Sequence, residues 1–189
     1  MKKHSFILLG SNLGERKKLL EEAIFMISNN CGKILSMSRL YETEPWGFKS
    51  ETNFLNQVIE IETTLTPHEL LSELLSIEAV LGRHRHENAK GYESRPMDLD
   101  ILYYDNFIIN DSTLVLPHPR LHLRRFTLLP LCDIASDFEH PIFMRTNKSL
   151  LIQFIFLFSN FFFLFFCFCK CVLYSIMICV SILLGLKER

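Results

Sequence analysis

Between Arg95 and Tyr104 the chain reads Arg-Pro-Met-Asp-Leu-Asp-Ile-Leu-Tyr-Tyr, an apolar strand-like run carrying two carboxylates two residues apart. Alternate side chains of a strand share a face, so Asp98 and Asp100 project together. Met97, Leu99, Ile101 and Tyr103 are expected on the opposite face. Neighbouring carboxylates resist joint ionisation unless a cation lies between them. Hard oxygen ligands so placed suit Mg²⁺, which takes one or two carboxylates plus substrate phosphates. The pair points to a metal-dependent phosphate enzyme.

The 189 residues fit one ordinary domain with a proper core. A formal charge of −1 gives no broad electrostatic case for nucleic acid, so any anion site must be local. Cys31 and Cys132 stand alone, the other four cysteines lie between Cys167 and Cys179, and no C-x-x-C pair occurs. A zinc site or disulfide framework has little support. Lys2-Lys3 precedes only a short apolar run, Phe6 to Leu9, too short for a signal peptide, and the catalytic part is expected to be cytoplasmic. From Ile152 to Leu186 the composition changes: no acid, one base (Lys170) and nine of the seventeen phenylalanines. Two segments are therefore expected, 1–151 carrying the chemistry and 152–189 forming a hydrophobic tail. That tail is either a single transmembrane span with a lipid-facing extension, a short hairpin, or the product of a shifted reading frame.

Ser5 to Leu9 reads as a short buried strand, with Ser11 or Asn12 capping a helix marked by Leu20, Ala23, Ile24 and Ile27. Ile34 to Thr43 and Phe54 to Thr63 read as strands. Thr66-Pro67-His68-Glu69 predicts a capped helix start, and Gly82 stops that helix. A further helix begins near Phe126. The order β-α-β-β-α-β is that of a ferredoxin-like α+β sandwich, helices packed on an antiparallel sheet.

The stretch from Arg83 to Arg95 supplies Arg83, Arg85, Lys90 and Arg95 just before the aspartate strand. Guanidinium groups grip phosphate oxygens bidentately, which is needed here because no P-loop sequence is present. Pro117-His118-Pro119-Arg120 to Arg125 is a second basic cluster, with prolines fixing the backbone on either side of His118. Trp46, Phe54 and Asn56 could frame a flat heterocycle, the rings by stacking and the amide at its edge, although the two aromatics equally suit a core.

In order, the motifs Leu9-Gly10-Ser11-Asn12-Leu13-Gly14, Tyr41 to Gly47, Phe54-Leu55-Asn56-Gln57, Ile77-Glu78 to Arg85, Ser94 to Leu102, and Leu116 to Phe126 resemble the 6-hydroxymethyl-7,8-dihydropterin pyrophosphokinase family. The resemblance implies transfer of pyrophosphate from ATP to the pterin hydroxymethyl group, releasing AMP, in folate biosynthesis. It implies two Mg²⁺ ions on Asp98 and Asp100, with Arg83 and Arg95 closing over the triphosphate. It also implies nucleotide contacts from Leu71, Leu75, Arg85, Ile101, His118 and Arg124. The pterin would lie between Phe54 and Phe126, with Thr43, Glu44 and Asn56 at its edge and Trp46 as an apolar lid. Tyr92 would stand where many relatives have a loop tryptophan, and the apolar tail replaces their hydrophilic ending.

Two alternatives compete. A metal-dependent nucleotidyltransferase also pairs a Gly-Ser turn with strand aspartates, but usually just after that turn, not some eighty residues later. An inactive membrane-tethered binding protein would account for the tail but leave Asp98/Asp100 and Arg83/Arg95 unexplained. No obligate protein partner and no nucleic acid are implied.

Overall fold

A computed structural model describes residues 1–47, 50–83 and 94–156. In chain order the elements are β1 (Lys3–Ser11), α1 (Arg16–Asn30), β2 (Lys33–Met37), β3 (Tyr41–Thr43), β4 (Phe54–Thr63), α2 (Pro67–Val80), β5 (Asp98–Tyr104), β6 (Ile109–Asn110), β7 (Val115–Leu116), α3 (Arg125–Ala135), β8 (Glu139–His140) and β9 (Arg145–Thr146). The main sheet runs β2-β4-β1-β5, with β3 paired to the first residues of β4, and every pairing is antiparallel. The chain is thus an α+β fold. α1 links β1 to β2 and α2 links β4 to β5, each connection stepping over one intervening strand.

Strand alternation divides the sheet into two unlike faces. Ile7, Leu9, Ile59, Ile61, Leu99 and Ile101 meet Leu20, Ala23 and Ile27 of α1 and Leu70, Leu74 and Ile77 of α2 in one core. Each large aliphatic side chain so buried contributes about 1.5–3 kcal/mol. The start of α2 follows the sequence signal: the Thr66 side chain accepts from the Glu69 N–H, and the Glu69 carboxylate accepts from the Thr66 N–H at 2.7 Å. Gly82, at φ +89°, turns the chain out of the helix.

Three expectations are corrected. α1 is not capped by Ser11 or Asn12; it begins at Arg16, the capping position is Glu15, and no side chain caps it. Gly14, at φ +67°, turns the backbone between Asn12 and the helix, which puts Asn12 out of reach of the first turn. The single strand expected over Ile34–Thr43 is two strands. At the break, Ser38 is tied twice to Val58: its N–H donates to the Val58 carbonyl at 2.9 Å and its Oγ accepts the Val58 N–H at 3.0 Å. With the Val58 N–H taken by that hydroxyl and the Ser38 carbonyl by Gln57 Nε2 at 2.7 Å, strand pairing resumes only at Tyr41. Tyr103 does not share a face with Met97, Leu99 and Ile101. The β1–β5 register shifts between Phe6 and Ile7, so Phe6 opposes Tyr103 while Ile7 opposes Ile101. The extra residue reverses the alternation. Tyr103 therefore lies against Phe6 and Phe138, at centroid distances of 6.1 and 4.7 Å.

Residues 147–156 are helical. Most of the expected apolar tail, 157–189, lies outside the described residues. Among the described residues no helix is long and apolar enough to cross a membrane.

Candidate active site

The face of the sheet turned away from α1 and α2 opens into a pocket of about 360 Å³. Its floor comes from three adjacent strands: Leu8 and Gly10 of β1, Phe54 and Asn56 of β4, Asp98 and Asp100 of β5. Gly10 pairs with Asn56 on one side and Asp98 on the other. A Cβ at Gly10 would sit 3.2 Å from Asn56 Oδ1 and 3.8 Å from the Phe54 ring. The missing side chain is what lets the amide, the ring and the carboxylate converge.

The walls are cationic and aromatic. Arg83 donates from one guanidinium nitrogen to both Glu78 and Asp98. Arg95 Nη1 lies 3.0 Å from the other Asp98 oxygen. Arg124, only 6% exposed, stands 3.8 Å from Asp100 and packs over the rings of Trp46 (4.9 Å) and Phe126 (5.5 Å). His118 Nε2 is 3.9 Å from Asp100, while its Nδ1 accepts the Arg120 N–H at 3.2 Å. That bond assigns the remaining proton to Nε2, facing the pocket. Burial, and then the charge of Arg124, hold the His118 ring down to about 4, so it is neutral near pH 7. Asn56 Nδ2 donates to Thr43 Oγ1 at 2.8 Å, fixing the amide's orientation.

The carboxylate pair behaves as its spacing requires. Burial, and next the charge of Asp98, push the Asp100 carboxyl up to about 7, with Arg124 pulling the other way. A dication placed here would relieve that penalty. No group of three or more His, Cys, Asp or Glu side chains suited to a metal occurs among the described residues. Two carboxylate ligands completed by phosphate and water oxygens are the donor set Mg²⁺ accepts, so the residues present fit that ion.

Of the residues expected to act together, Thr43, Glu44, Trp46, Phe54, Asn56, Arg83, Arg95, Asp98, Asp100, His118, Arg124 and Phe126 all line this pocket. Leu71, Leu75 and Ile101 do not. Ile101 belongs to the helix-side core because it alternates with Asp100, Leu71 is half-buried against that core, and Leu75 is half-buried on α2. Arg85 and Tyr92 lie outside the described residues. Sequence reasoning gave no role to Glu78, which is 2% exposed and accepts the Leu99 N–H at 2.7 Å while holding Arg83. A carboxylate on the apolar stripe Leu70-Leu74-Ile77 of α2 was the available signal. Gly10, expected just beyond the end of the first strand, lies within β1.

The chain is similar to proteins of known description. Residues 6–136 match the family described as 7,8-dihydro-6-hydroxymethylpterin-pyrophosphokinase (HPPK). The chain is 42% identical over 137 residues to a 2-amino-4-hydroxy-6-hydroxymethyldihydropteridine pyrophosphokinase of Porphyromonas gingivalis, covering 72% of this chain and 92% of that protein. It is 38% identical over 136 residues to the Bacillus subtilis protein of the same description, covering 71% and 80%. Among solved structures, an HPPK-DHPS in complex with substrates superposes with a TM-score of 0.69 at 17% identity, over 85% of this chain and 45% of that one. The wild-type Plasmodium falciparum HPPK-DHPS with pteroate gives 0.66 at 17% identity, over 82% and 42%. This chain spans under half of those longer chains, and the likeness there is one of fold.

Proposed function

The chain belongs to the 7,8-dihydro-6-hydroxymethylpterin-pyrophosphokinase family, and from that premise we propose how its pocket divides the work. The protein is an ATP-dependent pyrophosphokinase of folate biosynthesis. It moves pyrophosphate from ATP to 6-hydroxymethyl-7,8-dihydropterin and releases AMP. The nucleotidyltransferase and inactive-tether alternatives fall with this membership.

In the reaction the pterin hydroxyl oxygen bonds to the β-phosphorus and gives up its proton to water, the bond from that phosphorus to the oxygen bridging it to the α-phosphate breaks, and AMP leaves with that electron pair. Asp98 and Asp100 would hold two Mg²⁺ ions. When bound, these ions neutralise phosphate charge and align the reacting oxygens. Arg83 and Arg95 start on Asp98 and are proposed to transfer to phosphate oxygens once nucleotide arrives, exchanging one anion for another at little desolvation cost. Neutral His118 would offer its Nε2 proton to the bound phosphates, standing 3.9 Å from Asp100, and Arg124 supplies fixed positive charge there. The pterin ring is assigned between Phe54 and Phe126, its edge read by Asn56, Thr43 and Glu44, with Trp46 covering it. Arg85 stays assigned as a further nucleotide contact, and Leu71, Leu75 and Ile101 as neighbours of the adenine or ribose beyond this pocket, Ile101 through its backbone because its side chain is buried among α1 and α2. Catalysis then rests on alignment and charge neutralisation, with no covalent intermediate.

The observation that carries this reading is one pocket in which a carboxylate pair braced by arginines sits beside two aromatic rings and an oriented amide. We further assign the βαββαβ core to the ferredoxin-like class, which the strand order and all-antiparallel pairing support. Residues 1–151 form the catalytic domain in this reading and 152–189 an apolar appendage, with the catalytic part cytoplasmic. The test is AMP release by the full chain. It is expected only when Mg²⁺, ATP and hydroxymethyl-dihydropterin are all present, and Arg95→Ala should slow it strongly. Undiminished turnover in chelator would overturn the metal assignment.

A further inference from the structure

β3 is only three residues long, yet a helix is tied to each of its faces. Side chains alternate along it, so Tyr41 and Thr43 share one face and Glu42 takes the other. On the pocket side Thr43 meets Asn56, and the Tyr41 hydroxyl donates to Asp133 Oδ1 of α3 at 2.9 Å. Arg39 completes that clasp as a fork. Its Nη2 donates to Asp133 Oδ1 at 2.8 Å and its Nε to Oδ2 at 3.1 Å, while its backbone N–H also donates to Oδ2 at 3.1 Å. Nη2 reaches the Tyr41 hydroxyl as well, at 2.9 Å. On the opposite face Arg16 of α1 donates to Glu42 at 2.9 Å and to the Asn53 carbonyl, just before Phe54, at 2.7 Å.

A lone surface ion pair contributes little, but a bidentate guanidinium–carboxylate pair inside a network fixes geometry. The Arg39 guanidinium, helped by the Tyr41 hydroxyl, holds the Asp133 carboxyl below its ordinary range against partial burial, so the clasp is charged near pH 7. Asp133 follows Phe126 by seven residues, two turns of α3, and the two share one face of that helix. The helix holds Phe126 weakly by itself. No side chain caps its start, and Pro130 lacks the N–H that would bond the Phe126 carbonyl. Where Phe126 stands therefore depends on how α3 docks against the sheet. Arg16 fastens β3 to α1 from the other side, so Asp133 docks α3 against a strand that is already held.

Resting on the pyrophosphokinase reading, we propose that Asp133 is a positioning residue that sets the width of the slot between Phe126 and Phe54, and through it the affinity for the pterin. Asp133 lies off the pocket. Its effect passes along α3 to one ring, while Thr43, opposite Phe54 in the β3–β4 ladder, refers the other ring to the same strand. A stacked heterocycle needs both rings at contact distance, because dispersion attraction falls steeply once a gap opens. Asp98, Asp100, Arg83 and Arg95 belong to β5 and the segments beside it, which the clasp does not touch.

Steady-state AMP release by the full chain tests this, with 6-hydroxymethyl-7,8-dihydropterin varied over saturating ATP and Mg²⁺, and then ATP varied over saturating pterin. Asp133→Ala should raise the KM for the pterin about fivefold or more while kcat and the KM for ATP stay within about twofold. Arg39→Ala should move the same constant in the same direction, and the double variant should go no further than Asp133→Ala, since both open one clasp. Arg39 is exposed, so its variant carries the test if Asp133→Ala does not fold. Thr66→Ala, which loosens α2 instead, should leave the pterin KM unchanged. A merely structural clasp would lower the melting temperature of the Asp133 and Arg39 variants and leave all three kinetic constants alone. That result, or KM values for pterin and ATP that rise together, would overturn the proposal with the enzyme assignment intact. No AMP release from the unaltered chain would instead remove the enzyme assignment on which the proposal rests.

Discussion

The two faces of the central sheet use the same strands to opposite ends. On the helix side, Ile7, Leu9, Ile59, Ile61, Leu99 and Ile101 are buried among α1 and α2, with Glu78 reaching the Leu99 N–H at the end of α2. One residue further along, the same strands present Gly10, Asn56, Asp98 and Asp100 to a pocket ringed by Arg83, Arg95 and Arg124. The first face gains stability from every side chain. The second holds like charges together, desolvates a guanidinium and leaves room where a side chain could have packed. Stability and chemistry are thus separated by a single step of the pleat, and substitutions on the two faces should fail in different ways.

The sharpest break comes from Asp98→Ala or Asp100→Ala. Turnover should fall by about 10³-fold or more, roughly 4 kcal/mol of transition-state stabilisation, while the melting temperature shifts by at most about 4 °C. Steady-state AMP release and calorimetry on the same preparation would reveal it, and a well-folded variant with full activity would remove the carboxylates from the mechanism. Ile59→Ala on the other face should do the reverse. Unfolding free energy should drop about 2–5 kcal/mol by denaturant titration, with kcat of the folded fraction nearly unchanged.

A subtler contrast uses pH. Asp100's folded carboxyl is raised above its ordinary 3.8, so between pH 4 and 7 the folded state holds more proton than the unfolded one. Stability attributable to this group therefore falls as pH rises through that window. Asp100→Asn should stabilise the metal-free protein at pH 7.5 and not at pH 4. Because the side chain keeps 31% exposure, screening limits the gain to about 1–2 kcal/mol. Equal stability of the two proteins at pH 7.5 in chelator would show that the pair is not strained. The smallest expected effect is Thr66→Ala. Losing the capping bond to α2 should cost about 1 kcal/mol in thermal unfolding and leave pterin binding untouched.

Much of this was legible in advance where neighbours in sequence decide the outcome. The capping box at Thr66 depends on residues three apart, and the Asp98/Asp100 pair on residues two apart, so both follow from local geometry. The strand break at Ser38 was not legible, because it depends on Val58, twenty residues on. The reversal at Tyr103 depends on a register shift against β1, and no alternation pattern within β5 contains it. Asn12 looked like a helix cap because its residue type suits one, and its actual partners come from residues 50–52 and 94–95. Glu78 resembled one more position on an amphipathic helix until strand β5 arrived to meet it.

The linear chain by itself settled which residues could do the chemistry: acids at strand spacing, guanidinium groups to neutralise phosphate, rings and an amide for a flat heterocycle, each fixed by side-chain type and near-neighbour distance. Only the folded chain decided which of them meet. Gly10 brings Asn56 and Asp98 onto one floor, while alternation sends Ile101 to the opposite side of the sheet. The reason is physical: pairing Gly10 with Asn56 and Asp98 joins residues that sequence separates by forty or more positions, and one bulge suffices to change which face a side chain serves.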